Sequence, residues 1–285
     1  MSRMPVVVGV DGSEESLHAA EWAAWEAMRR EVPLRIVSAP APPPMRSPHV
    51  SEATMTNALR GMAARSLALA VERVGEVAHG LPVKTGIVSG PPAIALAGCG
   101  QGASVLVLGA RGSGGLGAMM VGSVSRHGAA HAPCPVVVVR EDTTAVMRKV
   151  AVGIRDPQDA HGALAFAFEE AALRNADLLV VHAWHLIPPV VMSRAGQAYD
   201  PEMVSGAAMS LLEDVLAAWQ DKYPAVKAFP EVVNGHPAQV LASLSARADL
   251  LVIGKHAHRG HVIGSIQNAV LIHAHGPVAV VPSAA

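Results

Sequence analysis

Residues 105–125 read VLVLGARGSGGLGAMMVGSVS: an apolar run, a glycine-rich loop and the start of a helix. The apolar run is typical of a strand buried inside a sheet. From Gly122–Ser123 onward a helical pattern begins, with a serine as the expected N-cap. A loop between the carboxyl end of a strand and the amino end of a helix presents unpaired amides and the positive end of the helix dipole. We therefore interpret Gly109–Ser125 as a loop that cradles the phosphates of a nucleotide.

On both sides of this loop, predicted strands alternate with predicted helices. Apolar, valine-rich runs predict strands at Met4–Val10, Leu34–Ala39, Val83–Val88, Ser104–Leu108 and Val136–Val139. The segments between them predict a helix behind the N-cap Ser13, a long alanine-rich helix at Ser51–His79, a short one at Pro92–Gly100 and one at Ser123–Ala132. This alternation predicts an α/β fold with a doubly wound, parallel, five-stranded sheet.

The second half of the chain repeats the first. VVVGV at 6–10 returns as VAVGI at 150–154, and LVLGARG at 106–112 returns as LVIGKHA at 251–257. The period of roughly 145 residues indicates a duplicated domain. We expect two tandem domains of this class, at residues 1–141 and 149–285, joined by a short polar linker at 142–148. The second set of strands is expected at Lys149–Ile154, Asp177–Ala183, Lys227–Val233, Leu250–Gly254 and Val278–Val281.

Composition excludes several classes of function. The 285 residues carry a formal net charge of −1 and only 3% aromatic residues, so a basic, ring-lined nucleic-acid groove is not expected. The two cysteines, Cys99 and Cys134, have no metal-ligand spacing. Neither a signal peptide nor an apolar run long enough to span a membrane is evident. We therefore expect a soluble cytoplasmic protein without a nucleic-acid or membrane partner.

Two common nucleotide motifs do not fit the loop. Gly112–Gly117 matches GxGxxG, but a dinucleotide fingerprint follows the first strand and needs an acidic residue about 20 positions later. This loop follows the predicted fourth strand, and residues 134–139 contain no acid. The GK[ST] ending of a Walker loop is also missing.

A different spacing fits the loop better. Gly109-x2-Gly112-x9-Gly122-Ser123 resembles the phosphate and ribose signature of the ATP-binding branch of the universal stress protein family. GVDGS at 9–13 and PCPVVVV at 133–139 also resemble that family, and the likeness covers nearly the whole chain as two copies. The resemblance implies a Rossmann-like fold of the adenine nucleotide alpha hydrolase type. It also implies ATP as the ligand, with Mg²⁺ as a possible companion.

The resemblance further implies roles for single residues and strands. Asp11 would lie near the ribose or a phosphate-bound metal, and the backbone of Ala39 would contact the adenine. The fifth strands, at 136–139 and 278–281, would pair the two domains as an intramolecular pseudo-dimer; a further homodimer of two chains is compatible with the sequence but is not specified by it. The expected nucleotide-binding residues are Gly9, Asp11, Ala39, Gly109, Ala110, Arg111, Gly112, Ser113, Gly114, Gly115, Gly122, Ser123 and Val124.

Elementary chemistry gives the same residues specific tasks. Gly109 is expected to let the chain leave the strand sharply, and Gly112 to let the backbone approach a phosphate. The alternative is that Asp11 only caps a helix turn and the glycines only shape a loop. Apart from Asp11, the loops at the strand ends offer no paired carboxylates, so no catalytic residue is predicted and at most slow ATP hydrolysis is expected.

The second copy departs from the motif. Ala257 replaces the second glycine, Arg155 replaces Asp11, and the spacer shrinks from nine residues (113–121) to six (258–263). We expect this site to have decayed; the alternative is a ligand held differently, with Lys255 and Arg155 supplying charge. Histidines crowd the region without a standard metal spacing, so no metal site is predicted. They are His256, His258, His261, His273 and His275.

Two other functions compete with nucleotide binding. One is an interaction module in which both sites are vestigial. The other is an enzyme of the ATP-pyrophosphatase type, which needs an SGGxDS-like loop after the first strand. GVDGSEES at 9–16 lacks its glycine pair, which places the enzyme last.

Overall fold

The computed structural model describes residues 4–41, 51–112, 121–140, 146–156, 160–185, 201–255 and 264–283. In the first repeat these residues form β1 (Val6–Gly9), α1 (Glu14–Arg29), β2 (Leu34–Ser38), α2 (Glu52–Val77), β3 (Val83–Ile87), α3 (Pro92–Gly98), β4 (Val105–Gly109), α4 (Ser123–His131) and β5 (Val136–Val139). In the second they form β6 (Lys149–Ile154), α5 (His161–Arg174), β7 (Asp177–Trp184), α6 (Pro201–Lys222), β8 (Ala228–Asn234), α7 (Pro237–Ser245), β9 (Leu250–Gly254), α8 (Ser265–His273) and β10 (Val278–Val281). The predicted α/β fold is confirmed.

The described residues divide into two compact units. Unit 1 takes those of Met1–Thr144 together with Pro277–Val280, and unit 2 takes those of Ala145–His256, Gly264–Gly276 and Val281–Ala285. In unit 1 the strand order is β3-β2-β1-β4-β5-β10; the first five strands are parallel, and β10 runs antiparallel to β5. In unit 2 the order is β9-β6-β7-β8, and all pairs are parallel. The domain bounds 1–141, 142–148 and 149–285 and the pseudo-dimer stay predictions.

The core of unit 1 follows from the residue pattern of its central strands and first helix. Val6, Val7 and Val8 of β1 are all buried, as expected for a strand covered on both faces. Helix α1 packs on the sheet through small side chains that allow a close approach; these are Ala19, Ala20, Ala23, Ala24 and Ala27. Its predicted N-cap is confirmed, because the Ser13 hydroxyl accepts a hydrogen bond from the Ser16 amide at 3.3 Å. No helix in the described ranges is both long and apolar enough to cross a membrane.

The strand order creates a crevice at one edge of unit 1. The chain continues from β1 to β2 on one side, whereas β4 later joins β1 on the other side. Ligands of open α/β sheets bind where the strand order reverses in this way, outside the carboxyl ends of the strands. In the register of β1 and β4, Gly9 lies opposite Leu108, so the segments after both strands start side by side. The glycine-rich loop therefore begins next to Asp11.

Candidate functional site

A cleft of about 780 Å³ opens at this crevice. Segments that follow β1, β2 and β4 form its floor, and the side chains of α2, α3 and the start of α4 form its walls. Most of the residues predicted for the site line it: Gly9, Asp11, Ala39, Gly109, Arg111, Gly112, Gly122, Ser123 and Val124.

Ala110, the remaining described residue of the predicted set, does not line the cleft. Ala110 is buried: its amide donates to the Val139 carbonyl at 2.7 Å, and its carbonyl accepts from the Gly122 amide at 2.8 Å. It therefore holds the loop against β5 and α4 without lining the cleft. Ser113, Gly114 and Gly115 lie outside the described residues.

Gly109 has a different role from the expected sharp exit from the strand. A Cβ at this position would lie 2.9 Å from the Glu15 carbonyl oxygen in the first turn of α1. A real Cβ cannot approach backbone so closely, so Gly109 is required where β4 passes the start of α1. Gly109 is also not among the glycines with a positive φ in the described residues. The lack of room for a side chain, rather than an unusual backbone conformation, explains why this residue is glycine.

Gly112 lies against Asp11. A Cβ on Gly112 would come 2.6 Å from Asp11 Oδ2, so this backbone and this carboxylate are direct neighbours. The other carboxylate oxygen, Oδ1, accepts from the Ser13 amide at 3.1 Å and from the Ser13 hydroxyl at 2.6 Å. Asp11 thus closes the turn before α1 and also lines the cleft. Both interpretations of Asp11 from the sequence are compatible with this geometry.

The amino end of α4 borders the cleft without a cap from a side chain. The N-cap is Gly122, with φ −61° and ψ 153°, so the prediction of a serine N-cap is wrong and Ser123 is the first helical residue. No acid lies in the first turn. The first amide to donate within the helix is that of Arg126, to the Gly122 carbonyl at 3.1 Å. The three amides that precede it have no intrahelical acceptor, as at any helix start.

Ser125 joins α4 to the end of β4. Its hydroxyl is buried and donates to the Gly109 carbonyl at 2.5 Å. Three residues further on, Gly128 packs on Leu108, where a Cβ would lie 2.7 Å from the leucine Cδ1. These two contacts fix the start of α4 beside the loop, so the positive end of the helix dipole lies at the cleft.

Arginines give this edge of unit 1 a positive character. Arg111 and Arg126 line the cleft, and Arg111 pairs with Glu15 of α1 at 3.1 Å between Nη2 and Oε1. Burial lowers the pKa of Arg140, just after β5, and the charge of Arg111 lowers it further. The two guanidinium groups are thus close enough to repel each other. An anion at this edge would reduce that repulsion.

The cleft also has an apolar lining, and much of it was not predicted. Met62 and Ala63 of α2 and Leu96 of α3 line it together with Val10. Helix α2 approaches closely because Gly12 has a positive φ of 86° and no side chain. In sequence these residues are ordinary members of helical stripes, and nothing in a stripe tells which members will face a ligand.

The comparisons with known proteins identify the family. Residues 3–140 and 147–282 each match the model of the universal stress protein family. The chain belongs to the universal stress protein family. A universal stress protein of Mycobacterium tuberculosis strain H37Rv is 36% identical over 287 residues, covering 96% of each chain. The recognition made from the loop spacing is confirmed.

Solved structures of the family also resemble this chain. A universal stress protein from Archaeoglobus fulgidus aligns with a TM-score of 0.72 at 16% identity, covering 98% of this chain and 96% of its own. A universal stress protein crystallised in complex with cAMP aligns over 50% of this chain and 100% of its own, at 26% identity and a TM-score of 0.39.

In the second universal stress protein repeat, the described residues enclose a small cavity beside the turn that follows β6. Its volume is about 20 Å³, and it lies between the ends of β6 and β9. Gln267 takes the position of Ser125 and donates from Nε2 to the Gly254 carbonyl at 3.1 Å, as Ser125 does to Gly109. Its carboxamide oxygen lies where a Cβ on Gly264 would lie. The longer side chain therefore occupies the space in front of the amino end of α8.

The charged residues of this repeat also lie differently. Lys255 corresponds to Ala110, because its amide donates to the Val281 carbonyl at 2.7 Å just as the amide of Ala110 donates to Val139. Burial lowers the pKa of Lys255. Of the clustered histidines, His273 and His275 are described, and the other three lie outside the described residues. Across the described parts of the chain, no three His, Cys, Asp or Glu side chains are grouped to hold a metal ion.

Proposed function

We propose that the first repeat binds ATP in the 780 Å³ cleft and that the chain acts as an ATP-binding regulatory protein of the stress response. One observation carries the proposal: a single cleft is lined both by apolar side chains and by the uncapped amino end of α4. Adenosine is flat and largely apolar, whereas its phosphates are anionic, and the two kinds of lining match these two halves. The volume falls within the range of roughly 300–1,000 Å³ that is usual for small-molecule sites.

The phosphate end has the chemistry that a nucleoside phosphate needs. The amides at the start of α4 and the helix dipole favour negative charge. Gly112 brings backbone to the cleft wall without a side chain, and the Ser123 hydroxyl lies at the helix start. Membership of the family supports the same assignment for the motif Gly109-x2-Gly112-x9-Gly122-Ser123. The predicted contributions of Ser113, Gly114 and Gly115 remain part of this proposal.

The sugar and base would lie toward the ends of β1 and β2. Asp11 lines the cleft beside Gly112 of the loop, which suits a contact with ribose hydroxyls. Ala39 follows β2 on the same edge, and its backbone could supply the hydrogen bonds that an adenine edge requires. Val10, Met62 and Leu96 would cover the faces of the base.

Mg²⁺ fits this donor set as a companion of the phosphates. The ion is usually held by one or two carboxylates together with substrate phosphates, and Asp11 supplies one carboxylate at the cleft. When bound, Mg²⁺ would neutralise phosphate charge. Asp11 is the acidic residue among those that line the described cleft, so no second carboxylate stands ready there to activate water. We propose occupancy, rather than rapid turnover, as the signal, with any hydrolysis slow.

Native mass spectrometry of the full chain tests the proposal directly. We expect one ATP per chain, bound in the first repeat. Two bound nucleotides would contradict the loss of the second site. If none binds, even after added ATP, the interaction module with two vestigial sites becomes the better account. The same spectra measure whether two chains form a homodimer, while the pseudo-dimer and a cytoplasmic location remain proposals.

A further inference from the structure

Arg126 lies at a helix position where the electrostatics usually disfavour a positive charge. It is the fourth residue of α4, within the first turn, where the helix dipole favours acids and disfavours cations. Three longer helices of this chain follow the rule and begin with acids: Glu14 and Glu15 in α1, Glu52 in α2 and Glu202 in α6. Helix α4 has no acid in its first turn to balance Arg126.

The side chain of Arg126 lines the cleft and has no counter-ion among the described residues. It is exposed at the cleft wall and forms no ion pair there, whereas Arg111 is paired with Glu15. Helical side chains lean toward the amino end of their helix, so Arg126 leans toward the uncapped amides of α4. Two sources of positive potential therefore meet at one place. Without a ligand this arrangement costs free energy.

The second repeat provides an internal comparison. Asn268 occupies the position of Arg126, four residues after the N-cap Gly264 as Arg126 is four after Gly122. In that repeat the side chain of Gln267 lies in front of the helix. A cation at this helix position is therefore present where the helix start borders the open cleft and absent where a side chain lies in front of it.

We propose that Arg126 is a specificity-determining residue that selects adenine nucleotides by their number of phosphate groups, favouring the triphosphate over the monophosphate. This inference rests on the proposed function of the cleft. The amides of α4 can hold one phosphate group without Arg126. Each further phosphate adds negative charge, and a guanidinium forms strong, forked hydrogen bonds with phosphate oxygens.

Selection follows from which part of the ligand Arg126 would contact. The apolar lining of the cleft and Asp11 interact with the adenosine that ATP and AMP share, so those contacts raise both affinities alike. Arg126 would act at the phosphate end alone, so its contribution grows with the number of phosphate groups and is smallest for AMP. Specificity is a difference between two affinities, so a residue that interacts more strongly with one ligand than with the other controls it.

Isothermal titration calorimetry of the full chain with ATP and with AMP, at one salt concentration, tests this. Wild type should bind ATP more tightly than AMP. Arg126→Met should weaken ATP binding by about tenfold, the loss of one hydrogen bond to a charged group, and should change AMP binding by less than about twofold. Arg126→Lys, which keeps the charge, should retain most of the preference.

Two controls distinguish a role in phosphate selection from a general effect of removing a positive charge. Arg65→Met removes the same charge from an exposed position of α2 outside the cleft and should leave both affinities unchanged. The Tm of ligand-free Arg126→Met should equal or exceed that of wild type, because an unfavourable interaction with the helix dipole is removed.

The outcomes are distinct. Equal losses for ATP and AMP in Arg126→Met, or no loss for either, would overturn the role of Arg126 while leaving the proposed function intact. If wild type binds neither nucleotide, the proposed function fails, and this inference fails with it.

Discussion

The glycines of the loop motif have different surroundings, so the same substitution tests different things at each. Gly109 is enclosed by the backbone of α1, Gly112 lies against the Asp11 carboxylate, and the nearest atom to a Cβ on Gly122 would be the Ala110 carbonyl oxygen at 3.5 Å. Backbone cannot move aside as a side chain can, so glycine at position 109 is needed for the fold itself. Gly112 is a residue of the cleft.

Gly112→Ala should abolish ATP binding and leave the fold intact. The new methyl group would displace Asp11 Oδ2, which lies 2.6 Å from its position, and would narrow the phosphate end. Calorimetry with ATP measures the first effect, and far-UV circular dichroism the second. Gly75→Ala in α2 is a matched control, since nothing lies within 4 Å of its Cβ and alanine should stabilise that helix by about 1 kcal/mol. Retained affinity in Gly112→Ala would exclude this loop as the phosphate site.

Gly109→Ala should instead destabilise unit 1. Its Cβ would lie 2.9 Å from the Glu15 carbonyl oxygen and 3.2 Å from the Arg111 carbonyl oxygen, so β4 or α1 must shift. We expect a loss of about 1–3 kcal/mol in the free energy of unfolding, as for other overpacked sites. Urea denaturation measures it. An unchanged midpoint would show that α1 tolerates the displacement.

The part of the site that could be predicted from sequence is the part formed by one loop, because the spacing of residues along a loop can be read directly from the sequence. Gly109, Gly112 and Gly122 were found because the glycine motif is local, and Asp11 because it follows the first strand. Met62 and Leu96 were missed because they reach the cleft only through the packing of α2 and α3. Ala110 lies next to these residues in sequence yet is buried, since its two backbone hydrogen bonds turn it inward.

At the scale of elements, α4 and α8 are two versions of the same helix, and they differ where α4 borders the cleft. Each follows a glycine N-cap, and each sends a side chain from its third residue to the last carbonyl of the preceding strand. Ser125 makes this contact with a short hydroxyl, and Gln267 makes it with a longer carboxamide. Both helices make this contact, but in α8 the longer side chain also fills the space in front of the helix.

Ser125→Gln should therefore make the start of α4 in the first repeat resemble the start of α8 in the second, where a side chain fills the space. Glutamine can keep the hydrogen bond to the Gly109 carbonyl, as Gln267 keeps the one to Gly254, so the fold should survive. Its added length should occupy the space in front of α4 and lower ATP affinity by at least about tenfold, since binding requires the helix amides. Calorimetry measures the loss. The reverse change, Gln267→Ser, should not create binding, because Ala257 and the shorter spacer remain.

Element type and order could be predicted because strands and helices here have strong and different periodicities. β1, β4 and β5 are continuous apolar runs, whereas α2 is long, alanine-rich and capped by Ser51. The N-cap of α4 was assigned wrongly by one residue. A serine next to a glycine is ambiguous in sequence, and in the structure the extended backbone at Gly122 decides it.

At the scale of the whole molecule, both thiols of the chain lie in unit 1. Burial raises the pKa of Cys134 to about 11 and also raises that of Cys99. The raised pKa values reduce the thiolate fraction of both cysteines in the folded state, and burial limits access of a labelling reagent; unfolding restores the ordinary, lower pKa and exposes both thiols. In the native state, thiol labelling should accelerate only as the pH rises toward the raised pKa values.

Thiol labelling thus reports the opening of unit 1 and should respond to ATP. At an ATP concentration of about 100 times its Kd, binding should stabilise unit 1 by about 2.7 kcal/mol and slow labelling at pH 8 by about 100-fold. Mass spectrometry of the labelled chain measures the rate with and without ATP. Gly112→Ala serves as the control and should show no protection. Equal rates for wild type would indicate that ATP does not bind unit 1.

The place of β10 in unit 1 has a consequence for biosynthesis. Val278 lies opposite Val138, so β5 gains its antiparallel neighbour from residues translated roughly 140 positions later. A ribosome that adds about 5–20 residues each second leaves the valine-rich edge of β5 unpaired for about 7 to 28 seconds. Exposed apolar edges invite pairing with other chains. The nascent first repeat therefore passes through an interval in which chaperones, or neighbouring nascent chains, compete for the edge that its own last strand will cover.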